Sequence, residues 1–165
     1  IFEQRQVSFY MQGVLQAERS FFKMEYRVFS YNANAVCFRK NGHNFGMICS
    51  WVTQVDYDKI VMLIGAQSVT GKNISRGDII GVSVLSEKQE HVMNTLGNNH
   101  SNETDKFENI DFTVSGSAIL INNSSVNMIV EVLDILHLPG IEEDNLVYGL
   151  IKSCTRSKEP AMIVQ

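Results

Sequence analysis

Short apolar runs separated by turn-forming residues dominate the middle of the chain. Residues 31–38 and 45–55 are rich in β-favouring residues and flank Asn41-Gly42. This dipeptide is typical of tight hairpin turns, because both of its residues tolerate a positive φ. Residues 60–66 form an uninterrupted apolar run, which predicts a buried central strand. Further strands are predicted at residues 78–85, 112–121, 126–136 and 146–151.

Two stretches in the body of the chain predict helices. Residues 70–77 fit a short helix with Thr70 near its start and Gly77 as its C-terminal stop. Ser86 and Gln89 match a capping box, in which Gln89 reaches back to the start of a longer helix. That helix is expected to turn its apolar residues inward, namely Val92, Met93 and Leu96.

The spacing of these elements predicts the fold class and the domain division. Residues 1–27 mix charged and apolar side chains at roughly helical spacing, so we expect a helical N-terminal extension that packs on the body or on a partner chain. Six or seven short strands at hairpin spacing follow in residues 28–165, and strands and helices do not alternate. This pattern favours one mainly β domain, an antiparallel barrel with flanking helices, over a doubly wound sheet.

Composition argues against several classes of protein. The formal net charge is −4, whereas a general nucleic-acid binder shows a basic face. No apolar run is long enough to span a bilayer, and the first residues lack the apolar core of a secretory signal. Three cysteines are an odd number, which favours reduced thiols in the cytoplasm. The four histidines are scattered and no CxxC spacing occurs, so we expect no metal site.

Four polar residues near the predicted short helix are candidates for binding an anion. The stretch is not a P-loop, because five residues separate Gly65 from Gly71 and the motif has four. Free backbone N–H groups at a helix start, with a hydroxyl and an ammonium beside them, would still attract a phosphate. The alternative is an ordinary capped turn with a solvated lysine. The four candidates are Ser68, Thr70, Lys72 and Asn73.

Two further segments carry candidate ligand contacts. Residues 50–53 contain Trp51, the single Trp of the chain, which would border a planar ring while Ser50 and Thr53 supply hydrogen bonds. The alternative is a Trp in the core or in a dimer interface. Lys106, followed by Phe107, could meet a phosphate or the pyrimidine edge of a flavin, or it could be an ordinary surface lysine.

Four strings of residues, in this order, resemble the flavin reductase-like family with its FMN-binding split barrel. Residues 46–55, Gly-Met-Ile-Cys-Ser-Trp-Val-Thr-Gln-Val, are similar to the family's Gly-Met-x-x-Ser-Trp-x-Thr-x-Val segment. Residues 81–87 are similar to the strand before its long helix, and residues 105–108 to the end of its Asp-Lys-Phe loop. Residues 146–149 resemble its late Leu-Phe-Val-Gly strand. The nearest branch by these strings is flavoredoxin and the flavin domain of high-molecular-weight rubredoxin.

The resemblance implies an antiparallel Greek-key split β-barrel that forms a homodimer and binds FMN noncovalently near the subunit interface. On the family pattern, Ser50, Trp51, Val52 and Thr53 face the flavin ring. Residues 70–73 take the phosphate side, and Lys106 with Phe107 closes the pocket. The protein then orients the flavin, and the flavin carries the redox chemistry.

The sequence departs from the family pattern at three places that matter for the site. Phe45 stands where the family has an Asn before Gly-Met. The loop at residues 98–103 lacks the family's Ser-Gly-Arg. Asp144, in an acidic run, occupies the place of a His that many members carry before the late strand.

The function expected from the resemblance is transfer of electrons or hydride between NADH, NADPH or a redox partner protein and the flavin. One alternative is a non-catalytic flavin carrier, which steady-state oxidation of NADH or NADPH would distinguish. The other is an interaction protein on the same barrel without a cofactor, which would stay colourless with added FMN. No single residue can be assigned a catalytic role from the sequence.

Overall fold

A computed structural model describes residues 28–98 and 105–164 of the chain. These residues form an antiparallel β structure with two helices, α1 (Val69–Asn73) and α2 (Glu90–Asn98). The strands are β1 (Tyr31–Asn32), β2 (Asn34–Lys40), β3 (His43–Cys49), β4 (Val52–Asp56), β5 (Lys59–Gly65), β6 (Ile79–Val84), β7 (Phe112–Ser115), β8 (Ala118–Ile121), β9 (Val126–Leu136), β10 (Asp144–Arg156) and β11 (Ile163–Val164).

Nine strands form one sheet, in the order β4-β5-β10-β9-β6-β2-β8-β7, with β3 paired to β2. The pairs are antiparallel throughout. The sheet curls so that β3 approaches β5, where the barrel is split rather than joined by a regular ladder. A separate two-stranded ribbon pairs β1 with β11.

The interior of the barrel holds the larger of two apolar cores. Alternate residues of β2, β5, β6, β9 and β10 point into it, because side chains of a strand alternate between its faces. Phe45 belongs to this core and stacks on Phe38, with ring centroids 5.3 Å apart. The completely buried positions of this core, at 0% exposure, are Val36, Met62, Ile64, Ile80, Val82, Val130 and Val147.

A second core lies on the other face of β2, under α2 and the β7–β8 hairpin. Ala35 and Cys37 face it, whereas their neighbours Val36 and Phe38 face the barrel interior. Strand β2 is therefore apolar on both faces, and five consecutive residues from Asn34 are buried. This double burial explains why the strand does not show a simple alternation of polar and apolar residues.

Several sequence predictions are confirmed. Asn41 and Gly42 form the turn between β2 and β3, with φ of 51° and 78°. Strand β9 has the predicted bounds, and β5 and β6 match their predictions within one residue at either end. The mainly antiparallel β architecture with flanking helices is the predicted fold class.

Other predicted strands were wrong in their bounds. Residues 45–55 are not one return strand, since the chain leaves β3 at Cys49 and begins β4 at Val52. Residues 112–121 form two strands, because the positive φ of Gly116 (62°) allows a turn between them. Residues 31–38 also divide, into β1 and β2, and the strand predicted at 146–151 extends to Arg156.

The helix predictions need two corrections. Helix α1 begins after Ser68 and ends at Asn73, and Gly77 (φ 88°) belongs to the next turn. In the predicted capping box, Gln89 Oε1 does accept from Ser86 N at 2.9 Å. The Ser86 hydroxyl, however, caps nothing, since it is buried and has no hydrogen-bond partner within the described part of the chain.

The predicted N-terminal extension, residues 1–27, lies outside the described residues, so the domain division stays a prediction. Residues from Tyr31 onward form one compact unit. In the ranges 28–98 and 105–164, no helix is long and apolar enough to cross a membrane.

Gly81 in β6 allows the close contact between β6 and β8, so we expect Gly81→Ala to destabilise the fold. A Cβ at this position would overlap the carbonyl oxygen of Ile119, which is backbone and cannot rotate away. The free energy of unfolding should fall by roughly 1–3 kcal/mol or more, the range for overpacked cores. Urea titration measures it.

Gly97→Ala is the matched control for this substitution. A Cβ there lies 3.8 Å from Ile48 Cγ1, an ordinary contact, and the position is helical. Alanine should leave the stability unchanged or raise it by up to about 1 kcal/mol. Equal stability of both variants would contradict the role assigned to Gly81.

Candidate functional site

Residues 50–53 cross the split in the barrel. Strand β3 pairs with β2 up to Cys49, and from Val52 onward β4 pairs with β5 instead. At the crossing, Leu63 N donates to Trp51 O at 3.0 Å, and Val52 N donates to Ser50 O at 3.1 Å. The chain therefore changes its hydrogen-bonding partner within two residues. This change leaves Ser50 and Trp51 outside any strand.

Trp51 is the most unusual side chain of this segment, because 57% of its surface is exposed. Thr53 is exposed as well, whereas Ser50 and Val52 are half-buried and Val52 packs on the barrel core. The structure thus brings two of the four predicted residues, Trp51 and Thr53, to the surface. An exposed indole ring offers a flat apolar face on which another planar ring can stack.

Two residues that the sequence analysis did not single out support this segment. Tyr31 of β1 lies beside Trp51, with ring centroids 6.4 Å apart and the planes inclined by 54°. Asn34 is buried, and its Nδ2 donates to Cys49 O and to Asn32 O, both at 3.0 Å. Neither contact has a local sequence signal, since Tyr31 and Asn34 precede the segment by 15 residues or more.

The two cysteines near the segment are buried thiols. Burial raises the pKa of Cys37 and of Cys49 to about 12, against weaker opposing effects. For Cys49 the opposing effect comes from the backbone of Trp51 and Leu63, which lowers the pKa less than burial raises it. The protonated thiol lies within hydrogen-bond distance of Leu63 O, to which Sγ donates at 3.2 Å. A thiol with such a pKa is not a nucleophile near neutral pH. Cys49 instead adds a hydrogen bond across the barrel split.

The polar groups at the start of α1 are buried or hydrogen-bonded within the fold. Ser68 caps the helix, since its Oγ accepts from Gly71 N at 2.9 Å and donates to Gly65 O at 2.7 Å. Thr70 is 2% exposed and Gly71 is also buried. Gly71 lies against the Gly65 backbone, and its carbonyl accepts from Asn145 Nδ2 at 3.2 Å. The hydroxyl and amide groups predicted to meet an anion are thus largely enclosed.

The end of α1 is basic and exposed. Lys72 is exposed on its last turn, and Asn73 is half-buried with its Nδ2 donating to Val69 O at 2.8 Å. Lys40 of β2 reaches this end, and its Nζ donates to Asn73 O at 3.0 Å and to Ser75 Oγ at 3.1 Å. Of the four predicted residues near this helix, Lys72 is the one that presents a charge to solvent.

Lys106 lies inside the fold, 6% exposed. Its Nζ donates to Gly46 O and to Leu96 O, both at 3.0 Å. Burial lowers the pKa of Lys106, and the nearby Cys37 opposes this shift. The ammonium therefore joins β3 to the last turn of α2, so the alternative of an ordinary surface lysine is wrong and the contact with a flavin stays a prediction.

Phe107 is buried next to Lys106, at 3% exposure. It packs edge-on against Phe112, with ring centroids 5.3 Å apart. A Cβ at Gly46 would lie only 2.7 Å from Phe107 Cζ, so glycine at this position allows β3 to touch the ring. Lys106 and Phe107 together support β3 from the second core, on the side away from the barrel interior.

A cleft of about 360 Å³ lies elsewhere, between the start of α2 and the β8–β9 turn. None of the ten predicted site residues lines it; its lining includes Lys88, Gln89, His91, Asp111, Asn122 and Glu159. Among the described residues, no group of three His, Cys, Asp or Glu side chains could hold a metal ion.

Comparison with known protein families identifies the family of this chain. The family described as "Flavin reductase like domain" matches residues 27–163, which is most of the chain. The chain belongs to this family. The flavoredoxin branch within it stays a prediction. No curated protein matches the chain significantly.

Solved structures of flavin-related proteins share the fold of this family member. The NADH:FAD oxidoreductase SgcE6 of Streptomyces globisporus, in complex with NAD and FAD fragments, is 18% identical, with a TM-score of 0.80 and coverage of 90% and 89% of the two chains. Nitrilotriacetate monooxygenase component B of Mycobacterium thermoresistibile is 23% identical, with a TM-score of 0.74 and coverage of 87% and 79%. Flavoredoxin of Methanosarcina acetivorans is 14% identical, with a TM-score of 0.69 and coverage of 79% and 71%.

The burial of Lys106 leads us to expect that Lys106→Met lowers the stability of the domain. Methionine keeps most of the side-chain volume but donates no hydrogen bond to Gly46 O or Leu96 O. The free energy of unfolding should fall by about 1–3 kcal/mol, the range for a hydrogen bond from a charged group. Chemical denaturation followed by circular dichroism measures the change.

Lys158→Met is the matched control, because Lys158 is exposed near the C-terminus and should tolerate the change within about 0.5 kcal/mol. A Lys106→Met protein as stable as this control would show that the two hydrogen bonds contribute little.

Proposed function

We propose that the chain binds FMN with the ring against residues 50–53 and transfers electrons or hydride between NADH, NADPH or a redox partner protein and the flavin. The observation that carries this proposal is the exposed Trp51 at the barrel split of a flavin reductase-like domain. A planar ring placed there would cover the indole and stack beside Tyr31. When bound, the flavin supplies the redox chemistry.

The described residues have separable roles in this proposal. Trp51 and Tyr31 provide aromatic surface, and Thr53 provides an exposed hydroxyl for a hydrogen bond to the ring edge. Asn34 and Cys49 fix the backbone next to this segment by hydrogen bonds.

We place the protein in the cytoplasm, which the three free thiols support.

The proposal includes a homodimer, which an apolar stripe on the outer face of the sheet supports. Leu63, Leu146 and Leu136 are in register across β5, β10 and β9, and so are Val61 and Tyr148 in the next row. Residues in register share a face of the sheet. None of these five side chains belongs to either core. A second copy of the chain would cover the stripe.

Intrinsic fluorescence tests flavin binding directly, because Trp51 is the single Trp of the chain. FMN bound at residues 50–53 should quench this fluorescence, and a flavin absorption band should stay with the protein through gel filtration. Trp51→Leu should weaken FMN binding roughly fivefold, since stacking contributes on the order of 1 kcal/mol. Absorbance titration measures the affinity of the variant.

Tyr57→Leu is the matched control, since Tyr57 is 98% exposed at the tip of the same hairpin and away from the split. Equal FMN affinity of the two variants would contradict stacking on Trp51.

Oxidation of NADH or NADPH by the flavin-loaded protein separates a reductase from a carrier, because a carrier would retain the flavin without steady-state turnover.

For the dimer, we expect wild-type protein to show twice the chain mass in light scattering and Leu146→Lys to show the monomer mass. A lysine at the centre of the stripe would place a charge in an apolar interface. Thr155→Lys, at the exposed far end of the same strand, should remain dimeric. A monomeric wild-type protein would exclude the proposed assembly.

A further inference from the structure

The cleft of about 360 Å³ at the start of α2 is separate from the candidate flavin site. None of the ten predicted site residues lines it, and it lies at the opposite end of α2 from Leu96, whose carbonyl accepts from Lys106. At a rise of 1.5 Å per residue, the ends of this nine-residue helix are about 12 Å apart. Pockets for small molecules commonly hold about 300–1,000 Å³, so this cleft suits a small ligand.

Hydrogen bonds join the segments that form the cleft. Gln89 Nε2 donates to Asn122 O, and Asn122 Nδ2 donates to Asp111 Oδ1, both at 2.7 Å. Lys88 Nζ lies 2.9 Å from the Glu159 carboxylate. These contacts fix the start of α2 against the β8–β9 turn, the residue before β7 and the C-terminal segment. The lining is therefore built by packed elements rather than by one loop.

Ser86 adds an unpartnered hydroxyl to the inner lining. The residue is 1% exposed and lines the cleft, and its Oγ has no hydrogen-bond partner in residues 28–98 and 105–164. Gln89 does not supply one, because its Oε1 accepts from Ser86 N and Ser124 Oγ, at 2.9 and 3.2 Å. Buried hydroxyl groups are normally hydrogen-bonded. A polar atom of a ligand in the cleft would satisfy this one.

The start of α2 adds two free backbone donors. Val92 N and Met93 N both donate to Gln89 O, at 3.0 and 3.1 Å. Glu90 N and His91 N, in contrast, have no acceptor among the residues that the structure describes. N–H groups at the start of a helix point away from it along its axis and attract anions. This part of the lining favours a carboxylate.

Another part of the lining favours a cation. Lys88 and Glu159 neutralise each other in their ion pair. Asp111 forms no salt bridge within the described ranges, and its hydrogen bond from Asn122 orients the carboxylate without cancelling the charge. One cation and two carboxylates give the lining a net charge of −1 with His neutral. A ligand with one negative and one positive group complements both parts.

We propose that this cleft binds a free α-amino acid. Its carboxylate would accept hydrogen bonds from Glu90 N, His91 N and the Ser86 hydroxyl. Its ammonium would lie against Asp111, and its side chain would point out of the cleft. An α-amino acid carries both charges on adjacent atoms, which suits a small cleft with donors and a carboxylate in one lining. The inference does not depend on the proposed flavin binding.

Saturation-transfer NMR and thermal unfolding with each standard amino acid test the inference. We expect at least one to bind and to raise the Tm, because a ligand that binds only the folded state stabilises it. Two analogues of that amino acid, one without the amino group and one without the carboxyl group, should each bind at least roughly tenfold more weakly. Failure of every amino acid to bind would overturn the inference, and so would an analogue that binds as tightly as its parent.

Ser86→Ala and Asp111→Asn locate the binding. Each should lower the affinity for the amino acid roughly tenfold, the effect of one lost hydrogen bond to a charged group. Glu87→Gln is the matched control, because Glu87 is exposed next to Lys88 and does not line the cleft. Wild-type affinity in both Ser86→Ala and Asp111→Asn would place the amino acid elsewhere and overturn the assignment.

The Tm of the unliganded Ser86→Ala protein separates a ligand contact from a structural role. It should equal that of the wild type, because the lost hydroxyl has no partner in the fold. A lower Tm with unchanged affinity for the amino acid would overturn the role of Ser86. The FMN affinity should stay the same in all three variants. A wild-type protein that binds an amino acid and no flavin would contradict the proposed function and leave this inference standing.

Discussion

The crossing of the chain at the barrel split is the constraint on which the rest of the structure depends. Leu63 N donates to Trp51 O, and the Cys49 thiol donates to Leu63 O. The thiol joins β3 to β5, and the Trp51 carbonyl joins the crossing segment to β5, where no regular ladder connects β3 with β5. Ser50 and Trp51 lie outside both β3 and β4 at this crossing, and the Trp51 side chain is exposed. The same crossing thus closes the barrel and forms the candidate site.

The surroundings of the two ends of α1 carry opposite charges. The acidic run beside Ala66 lies at the start of the helix, and Lys40, Lys72 and Arg76 lie at its end. Because the helix is short, local charges outweigh its dipole. An anionic group would therefore meet repulsion at the start of α1 and attraction at its end.

Local features of the fold were predictable from the sequence, and features set by distant contacts were not. The Asn41-Gly42 turn and the reach of Gln89 to Ser86 depend on residues at most three apart. The break after Cys49 could not be predicted, since both strands that it separates have the same β-favouring composition.

The candidate site shows the same division between local and distant determinants. The motif around Trp51 identified the family, which the match over residues 27–163 confirms. The burial of Lys106 depends on acceptors 10 and 60 residues away, and the contacts of Lys40 span 33 to 38 residues.

The pairing of Leu63 with Leu146 spans 83 positions (63 to 146), far more than the β2–β3 hairpin. Loop-closure entropy grows with such a span, so this pairing costs more chain entropy than the hairpin does, and a ligand bound beside Trp51 would stabilise only the folded barrel.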